Sequence, residues 1–403
     1  MRTLLSDWHQ DKHDEFQAFV AREVAPFAAQ WDRDQAIPGA VIAKLAQLGY
    51  LGCGLPREFG GLGWDAVAFG LLNEAFGRGS SALTGVLTVQ AMVGMTLLKW
   101  GTPEQKRRWL RPLAKGETIG AFALTEPGGG SAMNALATEF SRDGDGFVLN
   151  GVKTWISCAQ FAGVFLVFGT LDGHSVACLV PRQTPGLEVE PISDLAGFRA
   201  AGLARLRFDH ARVPAANLVG NPGFALSHVA PLGLHYGRLS TACSAAGLAR
   251  ACFEESIAHA AARRSGDRTV GEFGMIRSLL AAMGADLEAG SLLCYSACRA
   301  QDEHLPQAFE TALTAKYFTS RAAVRAASDA VQIQGAAGCH ASSPVSRYYR
   351  DAKIMEIIEG TTQIHEDILG RMFVARVGGL GELKRSDSKD DRRIQPHRRA
   401  VSG

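Results

Sequence analysis

The 403-residue chain reads as mainly α with a central β domain. The expected parts are an N-terminal helical domain over residues 1–118, a β-barrel-like middle domain over 119–225 and a C-terminal four-helix bundle over 226–380. Three observations predict this. Apolar residues recur at helical spacing up to about residue 118. From 119 to 225 the period falls to two, the signature of half-buried strands. From 226 onward the chain is Ala-rich and helical again.

In order, helices are expected over residues 11–30, 39–48, 66–77 and 80–100. Thr102 and Pro103 open another, because proline at the first helical position gives up an N–H that would be unpaired anyway. The uncharged run 79–98 carries glycines, Gln90 and several Ser/Thr, so it reads as a buried helix rather than a membrane span. Residues 147–156 suggest two strands about a tight turn at Asn150-Gly151. Further strands are expected at 163–169, 175–180, 186–190 and 203–208, and long helices at 239–263, 272–301 and 307–335. Residues 381–403, dense in charge, read as a disordered basic tail.

Composition narrows the function. Hydrophobic residues make up 47% and charged residues 20%, ordinary for a soluble globular protein. A net charge of +2 gives no reason to expect nucleic acid or membrane as a partner. The N-terminus has early acidic residues and no apolar core, unlike a signal peptide. Eight cysteines are scattered without a CxxC pair; Cys294 and Cys298 share a helix face, but no histidine cluster completes a metal site. Buried thiols in a reducing cytosol, a cytoplasmic location and no metal are the expectation.

Two segments carry chemistry. In residues 350–365, Glu359 follows Ile357 and Ile358 and precedes Gly360-Thr361-Thr362. A carboxylate among apolar neighbours resists ionisation, which suits a base for a carbon acid near neutral pH. The plainer reading is a helix ending at Glu359, with Gly360 past its end and a threonine capping the next helix. In residues 122–131, Gly128-Gly129-Gly130 let backbone N–H groups approach a ligand, and Glu126-Pro127 fix a turn. Trp155, on a strand, is either core or a platform for a flat heterocycle. His340 and His365 read as surface or capping residues.

These segments, with 150–157 and 329–338, occur in an order and spacing that resemble the acyl-CoA dehydrogenase family over roughly residues 10–378. The resemblance implies a flavoprotein that removes a proton and a hydride from an acyl thioester. Glu359 would be the base. FAD would be lined by Phe122, Leu124, Thr125, Gly130, Ser131, Trp155 and Ser157, and reached by Thr361 and Gln363. Arg263, Gln332 and Gly335 would contact the adenine half of FAD across a subunit interface. Ser131, Arg238, Ile358 and Gly360 would meet the substrate. A homotetramer or homodimer and an electron acceptor such as an electron-transfer flavoprotein are also implied. The acyl carrier is coenzyme A or a carrier protein; residues 292–338 resemble the polyketide-cluster branch, with Arg199, Arg238 and the tail as docking candidates. Part of the family carries its base near position 237, here Gly237. Departures are Gly266, Asp267 and Gly274 where an aromatic and an amide are usual, and His235 where an aspartate is. A flavin oxidase or monooxygenase on the same fold, or a non-catalytic flavoprotein binding a partner or nucleic acid, stay open as alternatives.

Overall fold

The computed structural model describes residues 2–131 and 136–378; the expected tail at 381–403 lies outside them. The N-terminal part is helical: α1 (Asp7–Glu23), α2 (Ala28–Asp34), α3 (Gly39–Gln47), α4 (Ala66–Gly79), α5 (Ser81–Trp100) and α6 (Pro103–Lys115). The single helix expected over 11–30 is two, because Pro26 cannot donate to a helical ladder and the chain turns between them. α6 begins as expected, with a reciprocal Thr102–Gln105 capping box and Pro103 at the first position. α5 is long and apolar enough to cross a membrane, yet 78% of its most apolar window is buried inside the protein. It is a core helix.

The middle of the chain forms β1 (Gly120–Ala123), β2 (Glu139–Asp143), β3 (Gly146–Ile156), β4 (Val164–Leu171), β5 (His174–Pro181), β6 (Leu187–Pro191), β7 (Ala204–Pro214) and β8 (Leu218–Val219). The sheet runs β6-β7-β3-β2-β4-β5-β8, with β1 alongside β4. Neither β6 nor β8 pairs with the other, so the sheet is open and the barrel-like expectation is not met. The Asn150-Gly151 turn is also absent. β3 passes straight through it, and the irregularity is absorbed as a bulge against β7. Gly151 is needed there because a β-carbon would crowd Thr138 Oγ1 at 2.7 Å. β4 shows why period two matters: Leu166 and Phe168 face a core with Val93, Leu97 and Trp109, whereas Phe165 and Val167 face the sheet's own core with Leu149 and Leu206.

The C-terminal helices are α7 (Ala230–Ala262), α8 (Gly274–Asp302), α9 (Ala308–Gln334), α10 (Pro344–Met355) and α11 (Thr362–Gly378), with a short hairpin, β9 (Arg264–Ser265) and β10 (Arg268–Thr269), after α7. Cys243 on α7 and Cys294 and Cys298 on α8 are buried between these helices, and Cys339 alone among the cysteines is exposed. His235–Gln301 with Arg250–Ser291 makes α7 antiparallel to α8, and Asp286–Arg325 with Gly290 against Thr319 makes α8 antiparallel to α9. α7 is the central element, packing on α4, α5, α8 and α9.

α4 and α7 touch backbone to backbone. A β-carbon on Gly247 would strike the Glu74 carbonyl, and one on Gly77 the Ser244 carbonyl. Neither obstacle is a flexible side chain. Gly247→Ala is therefore expected to destabilise by about 1–3 kcal/mol through overpacking, read as a lower urea midpoint at unchanged slope.

Candidate active site

Glu359 is not a helix end. α10 stops at Met355, residues 356–359 turn, and Glu359 sits in the left-handed region at φ 55 with Gly360 at φ 99. A non-glycine residue held there costs on the order of 1–3 kcal/mol, so something must hold it. Three groups do. Arg238 Nε donates to the Glu359 carbonyl at 3.3 Å. Lys316 Nζ donates to the Gly360 carbonyl at 2.6 Å and approaches the Glu356 carbonyl at 3.5 Å. The His365 ring closes on Gly360, whose β-carbon would lie 3.0 Å from Cε1. Thr361 does cap α11, its hydroxyl accepting the Ile364 N–H at 3.4 Å.

The residue is half-buried, but its Oε2 is enclosed and has no hydrogen-bond partner among the described residues. It lies over Gly237 of α7, beside Met92 of α5. Burial pushes the carboxyl up to about 7, against the opposing pull of Arg238 and Lys316. The Glu359 backbone N–H has no partner among the described residues. Arg238 is only 5% exposed and lies over the Phe309 ring. It is thus a buried prop of the turn and not a surface cation at a channel mouth. Arg199 is half-buried, with Nε enclosed and unpartnered among the described residues. His235 pairs with Gln301 at 2.7 Å, and burial lowers its pKa, so it is a neutral core residue.

His365 corrects another expectation. It is fully buried, not a surface residue. Nδ1 faces the Thr361 carbonyl at 3.0 Å and must donate, since a carbonyl only accepts. Nε2 is left as an enclosed, unpartnered lone pair. Burial and then Lys316 lower its pKa to about 4, so the ring is neutral. His340 is exposed, as expected.

The glycine-rich loop leaves the end of β1 and is held by one buried ion pair. Lys153 Nζ, on β3, reaches Glu126 at 2.6 Å and the Leu124 carbonyl at 3.1 Å. The other Glu126 contacts are the N–H groups of Ala137 and Thr138, at 2.6 and 2.9 Å. Burial alone would raise the Glu126 pKa; Lys153 and these donors bring it below the ordinary value. Glu126 is a fastener, as its sequence context suggested. Thr154 N–H bonds the Thr125 carbonyl, which brings the loop beside Trp155. A bulge between β3 and β7 puts Trp155 at φ 59 and leaves the residue 57% exposed. Ser157 follows, half-buried. Gly128 and Gly129 have nothing within 4 Å of a β-carbon position, and Gly130 and Ser131 are exposed. Phe122 and Leu124 are buried, and Phe122 abuts α7 at Gly233, one turn before Gly237. An open glycine loop, an unburied indole and unpaired polar atoms on Glu359 and Thr362 fit a flat, hydrogen-bonding heterocycle.

Ile358, Gly360, Thr361 and Gln363 fall at the Glu359 turn or the start of α11. Arg263, Gln332 and Gly335 do not. Arg263 ends α7, about 37 Å along that helix from Arg238, and Gln332 is about 24 Å along α9 from Lys316. All three are exposed at the opposite end of the helices. Sequence reasoning missed Lys316. Its signal was a cation on the face shared by Ala312, Leu313, Thr319 and Ser320. Arg350 and Asp351, within the motif that drew attention to Glu359, are structural: Arg350 pairs with Asp32, and Asp351 accepts the Phe198 N–H at 2.8 Å.

Three family models match this chain: acyl-CoA dehydrogenase N-terminal domain over residues 6–117, middle domain over 121–211 and C-terminal domain over 227–373. The short-chain specific acyl-CoA dehydrogenase of Rattus norvegicus mitochondria is 35% identical over 372 residues, 91% of this chain and 90% of the relative. A solved glutaryl-CoA dehydrogenase of Mycobacterium smegmatis in complex with FADH2 superposes with a TM-score of 0.88 at 27% identity, covering 95% of this chain and 97% of the other. FkbI, described as serving biosynthesis of the methoxymalonyl extender unit of a polyketide, superposes at 0.82 with 31% identity, covering 90% and 99%.

Removing one member of a buried ion pair strands the other charge. Lys153→Met is expected to destabilise by about 3–5 kcal/mol, with a partial recovery in the Lys153→Met/Glu126→Gln double variant. Thermal unfolding of the three proteins side by side checks this.

Proposed function

The chain belongs to the acyl-CoA dehydrogenase family, and from that membership we propose that it desaturates an acyl thioester at Cα–Cβ with Glu359 as the base. Members of the family are FAD-dependent oxidoreductases acting on CH–CH bonds. The observation that carries the proposal is the enclosed Oε2 of Glu359, without a hydrogen-bond partner among the described residues, whose carboxyl burial pushes up to about 7. Such a group has no structural use for its charge. Its proton affinity is moved toward neutrality, where general bases work best.

FAD, when bound, supplies a two-electron acceptor for the β-hydride. The residues assigned to hold its ring are Phe122, Leu124, Thr125, Gly130, Ser131, Trp155 and Ser157, with Thr361 and Gln363 from the start of α11. The chain's own part in the reaction is positional and acid–base. Glu359 takes the α-proton: its O–H bond forms as Cα–H breaks, and the released pair becomes the new π bond as hydride leaves Cβ. The free Glu359 N–H is available to the thioester carbonyl, where charge builds as the proton departs. Arg238 keeps that peptide in place through its carbonyl. Enclosure of Oε2 among Met92 and the α7 backbone keeps water from competing for the base.

The proposal extends to a homotetramer or homodimer. Arg263, Gln332 and Gly335 stand too far from Glu359 to serve the same site in one chain, so they would serve another copy's FAD. An electron-transfer flavoprotein is proposed as acceptor. Accumulation of hydrogen peroxide without one would favour the oxidase reading instead.

The carrier has two candidates. Relatives named for CoA esters support coenzyme A. The likeness to FkbI, with the branch-level resemblance of residues 292–338, favours a carrier-bound acyl group. One acyl group presented on CoA and on a carrier protein, with flavin bleaching as readout, separates them: equal or faster bleaching by the CoA ester excludes dependence on a carrier protein.

Glu359→Gln keeps the shape and loses the proton acceptor. Flavin reduction by substrate should fall by roughly 10²–10⁴-fold while FAD content stays unchanged. Reduction at the wild-type rate would end the case for Glu359 as base.

A further inference from the structure

Beneath the turn that carries Glu359 lies a lysine with no carboxylate partner in hydrogen-bonding reach among the described residues. Lys316 is fully buried within α9. Its ammonium is spent on main-chain oxygens: the Gly360 carbonyl at 2.6 Å and the Glu356 carbonyl at 3.5 Å. These two carbonyls bracket Glu359. The Glu356 carboxylate points elsewhere, to Lys353 at 2.6 Å. Burying a cation among carbonyls is costly, and an alanine in this Ala-rich helix would avoid the cost.

We propose that Lys316 is a positioning residue for the reaction: it clamps the two left-handed residues Glu359 and Gly360 and holds the carboxyl of Glu359 in its ionisable range. This rests on the reading of Glu359 as base. A carboxyl buried without hydrogen bonds would, by desolvation alone, stay protonated well above neutrality and be useless as an acceptor. Opposite charge nearby is what brings it back. The charged and titratable groups that face it are few. α7 contributes Arg238, whose Nε is committed to the Glu359 carbonyl, and His235, a neutral ring bonded to Gln301. α11 contributes His365, with its proton on Nδ1 and a bare Nε2. The turn contributes Glu356, already paired. α5 offers Met92, uncharged. That leaves Arg238 and Lys316 as the cations. Both lower the proton affinity of Glu359, and Glu359 in turn raises that of Lys316, which burial pulls down to about 7.

A lysine that only filled space or only bonded the backbone would leave the acidity of Glu359 alone, so acidity is the measurement. The protonated carboxyl of Glu359 gives an infrared carbonyl band, assigned by its loss in Glu359→Gln. Its titration in the FAD-loaded protein, without substrate, gives the wild-type midpoint as the reference, raised above the ordinary carboxyl range by burial. The sign is fixed: removing a cation favours the neutral acid, so Lys316→Met should raise the midpoint by about one pH unit or more. Lys316→Arg should restore it. If Lys316→Met fails to fold, Lys316→Gln keeps a donor without charge and is expected to show the same rise. A folded Met or Gln variant with an unmoved midpoint overturns the proposal. Turnover plays no part in this measurement. A Glu359→Gln variant that still reduces its flavin would therefore overturn the base assignment separately, leaving the Lys316 result to be read on its own.

Discussion

A carboxylate oxygen shut away from water without a hydrogen-bond donor is the constraint around which this molecule is arranged. Left to itself, such a group protonates or finds a partner. Here α7 supplies only the bare backbone of Gly237 beneath it and α5 supplies a thioether. α7, one of the two helices that enclose Oε2, is also tightly joined to its neighbours. α4 lies against α7 with no side chain between at Gly77 and Gly247, and α8 and α9 follow at antiparallel registers. A rigid helical body is what allows an unfavourable carboxyl environment and a left-handed glutamate to persist.

The two loops that flank the site are held in the same manner. Each has a buried lysine whose ammonium is bonded to main-chain carbonyls of the loop: Lys153 to Leu124, Lys316 to Gly360. They differ in the countercharge. Lys153 meets the Glu126 carboxylate directly, so that pair is closed and structural. Lys316 has no carboxylate within bonding distance among the described residues and reaches Glu359 only through the field, which keeps that pair open to change. One lysine fastens a platform and the other tunes an acid. The platform's bulge at Trp155 and the turn at Glu359 both use left-handed residues, so each presents its side chain at an angle no regular strand or helix would give.

Much of this was legible in the sequence, for definable reasons. Helices and strands announced themselves by period, and β4 shows how strictly alternation partitions two cores. Glu359 stood out because Ile357 and Ile358 precede it, though Ile357 proves half-exposed and enclosure comes instead from α5 and α7. What was not legible is non-local. Lys153 lies 27 residues from Glu126 and Lys316 44 from Gly360, so no local pattern joins them. Whether a sheet closes depends on its edge strands β6 and β8, which are chosen by packing rather than by their own residues. Asn150-Gly151 misled because a glycine demanded by a bulge looks, in sequence, like a glycine demanded by a turn. His365 misled because a histidine beside a helix start usually serves the cap, and here the cap is Thr361.

Gly237 also sets a steric limit. Its missing side chain is the space in which Oε2 of Glu359 rests, and a β-carbon there would lie 2.1 Å from that oxygen. One small volume is thus shared by α7 and by the turn after α10, and only one of them can fill it. A side chain gained on the helix at this point would be a carboxylate expelled from the turn.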